Sequence, residues 1–148
     1  MLPAHRIRTQ LPTAPVTRAQ IKAYERAIVE QLEPVEAPVD HHFIPGVYVR
    51  RMTLPAGAAI SGKIHDTLHM CIVAKGHILV ASEEGTRELF AGDVFVSRPG
   101  VKRIGYAIEE TVFINVHTNK DDDTDLALLE SKLIVPEALE YTKVEVLT

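Results

Sequence analysis

The stretch that decides the fold runs from residue 62 to residue 76 and reads GKIHDTLHMCIVAKG. Side chains two or four positions apart on extended backbone point to the same side. Lys63, His65 and His69 are therefore predicted to share one face, provided that the chain is extended here. Glycines at both ends and an apolar run before the second glycine indicate strands bounded by turns. The stretch predicts β structure with a cluster of polar side chains on its inner face.

The same pattern continues along the chain from Phe43 onward. Short runs rich in Val, Ile and aromatic residues are punctuated by glycine and proline about every 8 to 12 residues, which is typical of all-β proteins. Eight strands of this length suit a jelly roll. The predicted strands are Gly46 to Leu54, Gly62 to His65, His69 to Ala74, His77 to Ser82, Thr86 to Phe90, Asp93 to Ser97, Arg103 to Ala107 and Thr111 to Thr118.

The stretch 62–76 resembles the first sequence motif of the cupins. In that motif two histidines one residue apart are followed by a glutamate and then by a glycine. His65 stands at the second histidine, His69 at the glutamate and Gly76 at the glycine, whereas Lys63 replaces the first histidine. A metal-binding cupin would use the two histidine positions and the glutamate position of this motif as ligands.

A second segment, from Gly92 to Arg103, resembles the second cupin motif. A Gly-Asp turn leads through a strand to Pro99 and Gly100, and Arg103 stands where the motif has a histidine. The resemblance implies an all-β cupin double-stranded β-helix, a jelly-roll barrel. The expected organisation is an N-terminal arm and helix at 1–40, the barrel at 41–118 and a short helical tail at 119–148.

His117 is a candidate third ligand. Phe113, Asn115 and His117 form one face of the last predicted strand, and a polar face among apolar neighbours indicates a pocket. We predict a site for Zn, Ni, Fe or Mn at His65, His69 and His117, since imidazole suits these ions. In the alternative, the histidines only form hydrogen bonds with each other, with tyrosine or with the backbone.

Cationic side chains in the same barrel indicate an anionic ligand. Lys63, Arg103 and Tyr106 are the candidate ligand-binding residues, and Arg50 is a further cation that can join them. Arginine offers a planar fork for carboxylate or phosphate, and lysine a point charge. A small acid or a sugar phosphate is then a rational ligand. Alternatively, Arg103 is solvated or paired with Glu109 or Glu110.

The N-terminal region predicts an arm followed by a helix. Residues 1–16 carry three prolines among polar residues, which favours extended backbone. Thr17 and Gln20 fit a capping box, and an apolar stripe continues until Pro34. The stripe must dock on the barrel or on a neighbouring subunit, and we expect the arm to lie on a neighbour in a dimer or trimer. The stripe consists of Ile21, Tyr24, Ile28 and Leu32.

Three smaller features are interpreted as structural. The acidic run at 119–125 predicts a cap, at Thr124 or Asp123, for a helix through Leu133, because it lacks the ligand spacing of a calcium loop. The pair His41 and His42 is interpreted as part of a loop before the first strand. Cys71 has apolar neighbours and is predicted to be a small buried hydrophobe, not a reactive thiol.

Composition excludes several classes of function. A chain of 148 residues with a net charge of −4 predicts one domain and lacks the basic stripe of a nucleic-acid-binding protein. No apolar run approaches the length of a membrane span, and no signal peptide is recognisable. We therefore expect no nucleic-acid or membrane partner and no secretion by a signal peptide.

The stretch from His42 to His117 also resembles small cupin-like proteins of tailed bacteriophages, through PGVY at 45–48, GKIH at 62–65, KRIGY at 102–106 and NVH at 115–117. This resemblance implies a structural or accessory protein of the virion, such as a cement, decoration or fibre-type oligomer. It would bind capsid or tail proteins and occur in the virion or the host cytoplasm. The alternative is a metal-dependent cupin, enzyme or binder, acting on a small sugar or carboxylic acid. The sequence leaves open whether the protein is an enzyme.

Overall fold

The computed structural model describes residues 15–136, which form two helices and nine strands. The predicted arm at residues 1–14 and the tail beyond residue 136 lie outside the described residues. Neither helix within 15–136 is long and apolar enough to cross a membrane. The helices are α1 (Arg18–Gln31) and α2 (Leu126–Leu133), and the strands are β1 (Val39–Ile44), β2 (Gly46–Leu54), β3 (Ala59–Ser61), β4 (His69–Lys75), β5 (His77–Ser82), β6 (Gly85–Phe90), β7 (Val94–Ser97), β8 (Arg103–Ala107) and β9 (Thr111–Asn119).

The strands form two antiparallel sheets. One has five strands in the order β1-β2-β9-β4-β7, and the other has four in the order β3-β8-β5-β6. From β2 to β5 and from β6 to β9 successive strands alternate between the two sheets, whereas β1 and β2, and β5 and β6, form hairpins within one sheet. The predicted all-β barrel is confirmed, and β2, β5 and β8 have the predicted bounds.

Two strand predictions were wrong. Residues 39–44, interpreted as a loop that holds His41 and His42, form the edge strand β1, which pairs with β2 along its whole length. An edge strand keeps one side in water, so its charged Asp40 and its exposed His42 are tolerated there. The predicted strand Gly62 to His65 does not form, because β3 ends at Ser61 and the chain then leaves the sheet.

Gly76, the glycine of the first motif, lies in the tight turn between β4 and β5. Its φ is 94°, a left-handed conformation that favours glycine. A Cβ at this position would lie 2.2 Å from the carbonyl oxygen of Glu110. No side chain fits here without moving the backbone of the loop before β9.

The core fills one end of the barrel. It consists of apolar side chains from both sheets, namely Met52, Leu54, Ala58, Ile60, Val73, Ile78, Val80, Leu89 and Ala107. At the other end, α2 lies over the barrel, and its Leu129 and Leu133 pack against Tyr48. The cap of α2 is Asp125, whose side chain accepts from two backbone N–H groups. The predicted caps were therefore wrong by one or two residues, and Asp123 pairs instead with Lys132.

Helix α1 docks on its own barrel, against β3 and β8. The capping box of Thr17 and Gln20 is present, and Ile21 and Ile28 are buried. Leu32, predicted to be part of the docked stripe, is 50% exposed because the helix ends one residue before it. The other three residues of the stripe, Ile21, Tyr24 and Ile28, therefore pack on the barrel, which was one of the two alternatives; the other was a neighbouring subunit.

A buried ion pair also ties α1 to the barrel. Glu25 lies fully buried on the docked face and pairs with Lys102, which is also buried. The Ser61 hydroxyl donates to the same carboxylate, and Lys102 donates to the carbonyl of Gly62 at 2.9 Å. Breaking a buried pair by removing one partner is strongly destabilising, so α1 is an integral part of the domain.

Candidate functional site

A cavity of about 400 Å³ opens at the end of the barrel that faces α2. Inward-facing side chains of β2, β4, β8 and β9 form its walls, and Leu126, Leu129 and Glu130 of α2 border it. Five of the predicted site residues line this cavity. They are Lys63, His65, His69, Arg103 and His117. The cavity brings together the clustered residues that the strand parity and the cupin motifs predict.

Three histidines meet at this cavity from three different segments. His69 is the first residue of β4, and His117 lies directly opposite it on β9. His65 lies in the connection between β3 and β4, where it forms an isolated bridge with Ile134. One ring nitrogen from each of the three lies within 4.8 Å of the others.

The ring geometry suits a shared ligand. The ring centroids are 4.3 Å apart for His65 and His69, 4.6 Å for His69 and His117, and 5.1 Å for His65 and His117. The Nδ1 atoms of His69 and His117 are buried, and neither has a hydrogen-bond partner within residues 15–136. An unsatisfied buried polar atom is costly, and a metal ion would satisfy it.

Burial keeps the three imidazoles neutral. It lowers the pKa of His65 to about 3, with further contributions from His69, His117, Arg50 and Arg103. Burial likewise lowers the pKa of His117 to about 3 and lowers the pKa of His69. Neutral imidazole is the form that donates a lone pair to a metal, so near pH 7 the site is ready for an ion.

Two arginines reach the cavity from opposite sheets. Arg50 lies on β2 and Arg103 on β8, and the pKa values of both are lowered by burial. Arg103 donates to the Ser97 hydroxyl at 2.6 Å and lies over the ring of Phe95, 5.2 Å from its centroid. The polar partner of Arg103 described here is thus the neutral Ser97 hydroxyl, and not Glu109 or Glu110, the two partners considered from the sequence. Of those, Glu110 pairs with Lys75.

Lys63 and Tyr106 differ in their relation to the cavity. Lys63 lines it and forms an ion pair with Glu130 of α2, which links the barrel to the helix above it. Tyr106 is 44% exposed and does not belong to the cavity wall. Arg103 and Gly105 of β8 line the cavity and Tyr106 does not, so a role of Tyr106 in ligand binding stays a prediction without support from this cavity.

Two polar residues of the cavity, His41 and Tyr48, were not predicted as site residues, and Asn115 was predicted to lie on the inward face without being assigned a role. His41, interpreted as part of a loop, lines the cavity, and its Nδ1 lies 2.7 Å from the hydroxyl of Tyr48. Asn115 also lines it, and its Oδ1 is buried without a partner among the described residues. Tyr48 lies opposite His117 in the β2–β9 register, so the inward parity of β2 was the available signal.

Comparisons with known proteins support the fold. EutQ of Salmonella typhimurium LT2 superposes with a TM-score of 0.51 and 17% identity, covering 60% of this chain and 74% of that one. A cupin domain from Bordetella pertussis gives a TM-score of 0.48 and 19% identity over 60% of this chain and 98% of that one. The protein has the cupin fold.

The likeness concerns the fold alone, because the sequence identities are low. KdgF from Halomonas sp. is similar at 21% identity, with a TM-score of 0.49, covering 61% of this chain and 87% of that one. No family model matches the chain. No curated protein matches it either. The resemblance to phage cupins stays a prediction.

Proposed function

We propose that this cupin binds a divalent transition metal at His65, His69 and His117 and uses it to act on a small molecule in the cavity. The observation that carries the proposal is the convergence of three neutral imidazoles, two of them with buried Nδ1 atoms that have no partner in the part of the chain described. Zn, Ni, Fe and Mn all accept such a donor set. Three protein ligands are typical of sites that keep a coordination position open for water or substrate.

The bound ion would supply Lewis-acid chemistry, by polarising an oxygen of the small molecule. The chain's own residues provide the surroundings of that oxygen. Arg50 and Arg103 supply positive charge and hydrogen-bond donors, and Leu129 and Glu130 of α2 border the cavity. The Tyr48 hydroxyl and the Nδ1 of His41 lie 2.7 Å apart and share a hydrogen bond at the cavity wall. These features favour an enzyme or binder of a small sugar or carboxylic acid.

The role in a phage virion, which the sequence analysis ranked first, receives no support from the described residues. That hypothesis depended on the resemblance to phage proteins, on an arm expected to lie on a neighbour, and on a helix expected to dock on the barrel or on a neighbour. The helix packs on its own barrel, and the arm lies outside the described residues. A dimer or trimer, and capsid or tail partners, remain predictions.

Metal analysis tests the proposal. The purified protein, supplied with Zn²⁺, Ni²⁺, Fe²⁺ and Mn²⁺ in separate samples, is expected to retain about one equivalent of at least one ion after desalting. His65→Ala and His117→Ala should each lose it. His42→Ala is the matched control, because His42 is an exposed histidine paired with Asp40.

Two outcomes would overturn the proposal. The first is wild-type protein that retains no ion and whose Tm does not change when ions are added. The second is metal content that survives in the double variant of His65 and His117, since the ion would then be bound elsewhere. Circular dichroism of each variant checks that the barrel is folded.

A further inference from the structure

We propose that the ligand of the cavity is a carboxylic acid with an apolar tail, which binds with its carboxylate toward the three histidines and its tail toward the apolar core. The inference rests on the proposed function and decides between the two ligand classes given there, a small sugar and a carboxylic acid. It also assigns a place to the tail, on the wall of the barrel around Gly105.

The depth of the cavity carries the first step. Along β9 its wall runs from His117 to Phe113, a distance of about 13 Å at the rise of a β-strand. Along β2 the wall continues past Met52, which lies opposite Phe113 in the β2–β9 register, to Leu54. A ligand of a few atoms at the histidines would therefore leave the deeper part of the cavity unfilled.

The wall formed by the four-stranded sheet carries the second step. Gly105 of β8 lies between Ile60 of β3 and Val80 of β5 in the strand register, and all three residues border the cavity. Ile78, two residues before Val80 on β5, borders it as well. We call these four residues the tail site. Their side chains offer no hydrogen bond, so a polar group placed against them would lose its contacts with water without replacement.

Gly105 carries the third step. Its φ lies outside the left-handed region, so the backbone conformation does not require glycine here. A Cβ at this position would lie 3.1 Å from Cγ2 of Ile60 and 3.5 Å from Cδ1 of Ile78. The cavity is the open side toward which these isoleucines would give way, so glycine keeps the tail site wide. Glycine inside a strand often marks a place that a ligand or another backbone approaches closely.

These walls favour a carboxylic acid over a sugar. The open coordination position of the proposed ion needs an oxygen donor at the histidine end, and both classes supply one. A sugar carries a hydroxyl group on nearly every carbon, and a hydroxyl buried against aliphatic walls without a partner weakens binding. The tail of an acid places only apolar atoms there, and each buried methylene raises the affinity about three- to fourfold.

The test is a binding series on the full chain, measured by calorimetry with Ni²⁺ and in metal-free protein. Acetate, butyrate and hexanoate share the carboxylate and differ only in the tail. The affinity should rise on the order of 100-fold from acetate to hexanoate. The compound 6-hydroxyhexanoate has the same chain with a hydroxyl at the end of the tail, and it should bind at least about fivefold more weakly than hexanoate.

Val80→Thr places a hydroxyl in the tail site with little change in the size of the side chain. It should weaken the binding of hexanoate and remove most of the preference for hexanoate over 6-hydroxyhexanoate. Val73→Thr is the matched control, because Val73 is fully buried in the core and is not one of the residues that border the cavity. The control should keep the wild-type preference, even if its Tm is lower.

Gly105→Ala narrows the tail site without adding a polar group. It should lower the affinity for hexanoate about fivefold or more and leave the affinity for acetate unchanged, because only the tail meets the displaced isoleucines. Circular dichroism checks that this variant is folded. If it is not, the wild-type series and Val80→Thr still decide the question.

The outcomes separate the tail site from the metal site. Equal affinities of wild type for acetate and hexanoate would overturn the inference, and bound metal would leave the proposed function intact. A preference for hexanoate that Val80→Thr does not change would also overturn it, because the tail would then bind elsewhere. Protein that retains no ion but prefers hexanoate, and loses this preference in Val80→Thr, would overturn the proposed function and support the tail site.

Discussion

The barrel interior has a polar half, around the three histidines, and an apolar half, around Leu54 and Val73. The same strands contribute to both halves, which differ in the polarity of their side chains. Inward positions of β2 change along the strand from Tyr48 and Arg50 to Met52 and Leu54. In β4 the change is from His69 to Val73, so one half of the interior is polar and the other apolar. Because successive side chains of a strand point to opposite faces, every second residue faces inward, whether it is polar or apolar.

The comparison teaches that the two halves have separate tasks. The apolar half stabilises the fold by burying apolar surface, and its Met52, Leu54 and Ile60 also border the cavity. The polar half contains two half-buried arginines, and also the buried Nδ1 atoms of His69 and His117, which have no hydrogen-bond partner among the described residues and therefore lower stability. Departures of this kind from good packing are typical of functional sites.

The largest effect is expected from a cavity in the apolar half. Leu54 is 1% exposed, so Leu54→Ala should lower the free energy of unfolding by about 2 to 5 kcal/mol. Urea unfolding at pH 7 measures this. Leu126→Ala, at the half-exposed start of α2, should cost under about 1 kcal/mol. Equal losses in the two variants would contradict the division of the interior.

A smaller effect is expected when the polar half is acidified. His65 and His117 have folded pKa values of about 3, below the unfolded value, so protons bind the unfolded state first. Their contribution to stability is constant above the unfolded pKa and falls as the pH drops from about 6.5 toward 3.

Urea unfolding of the metal-free protein checks this dependence. Between about pH 7 and pH 5.5 each of the two histidines should cost roughly 1 kcal/mol. The variant His117→Gln should lose about half of the pH dependence over this range. A flat profile in wild type would mean that the two histidines bind protons equally in the folded and unfolded states, which would contradict their low folded pKa values.

The smallest effect is expected from replacing a histidine at neutral pH. His117→Gln removes a buried unpartnered nitrogen, so the metal-free variant should unfold within about 1 kcal/mol of wild type. Added metal should then stabilise wild type and not the variant, as a thermal melt with and without Zn²⁺ will show. A loss as large as that of Leu54→Ala would indicate that the polar half also supports the fold.

Much of the fold could be predicted because its signals are local. Glycine and proline mark the turns, and parity on β9 correctly assigns Asn115 and His117 to the interior. Edge strand β1 was missed because its polar side chains look like a loop until β2 is seen to pair with it. Tyr106 was assigned to the cavity from its place in a motif, whereas Arg103 and Gly105 of β8 line the cavity and Tyr106 does not.

His65 was assigned to the right cluster for a partly wrong reason. The prediction assumed that it shares a continuous strand face with His69, whereas the chain leaves the sheet between them. Its position depends on contacts distant in sequence, namely the bridge to Ile134 and a hydrogen bond from the Asp66 N–H to the carbonyl of Leu133 at 2.8 Å. Periodicity within a strand cannot reveal such contacts.

That attachment makes the three histidines mechanically unequal. His69 and His117 are held face to face by the ladder between β4 and β9, whereas His65 is held by the segment that follows α2. The Val135 N–H donates to the carbonyl of Ile64 at 2.8 Å and completes that attachment. If this segment swung away, two donors would stay in place and the third would leave with its loop. The number of histidine nitrogens that can meet at the site, three or two, would thus depend on the residues that follow α2, although these residues contribute none of the three nitrogens.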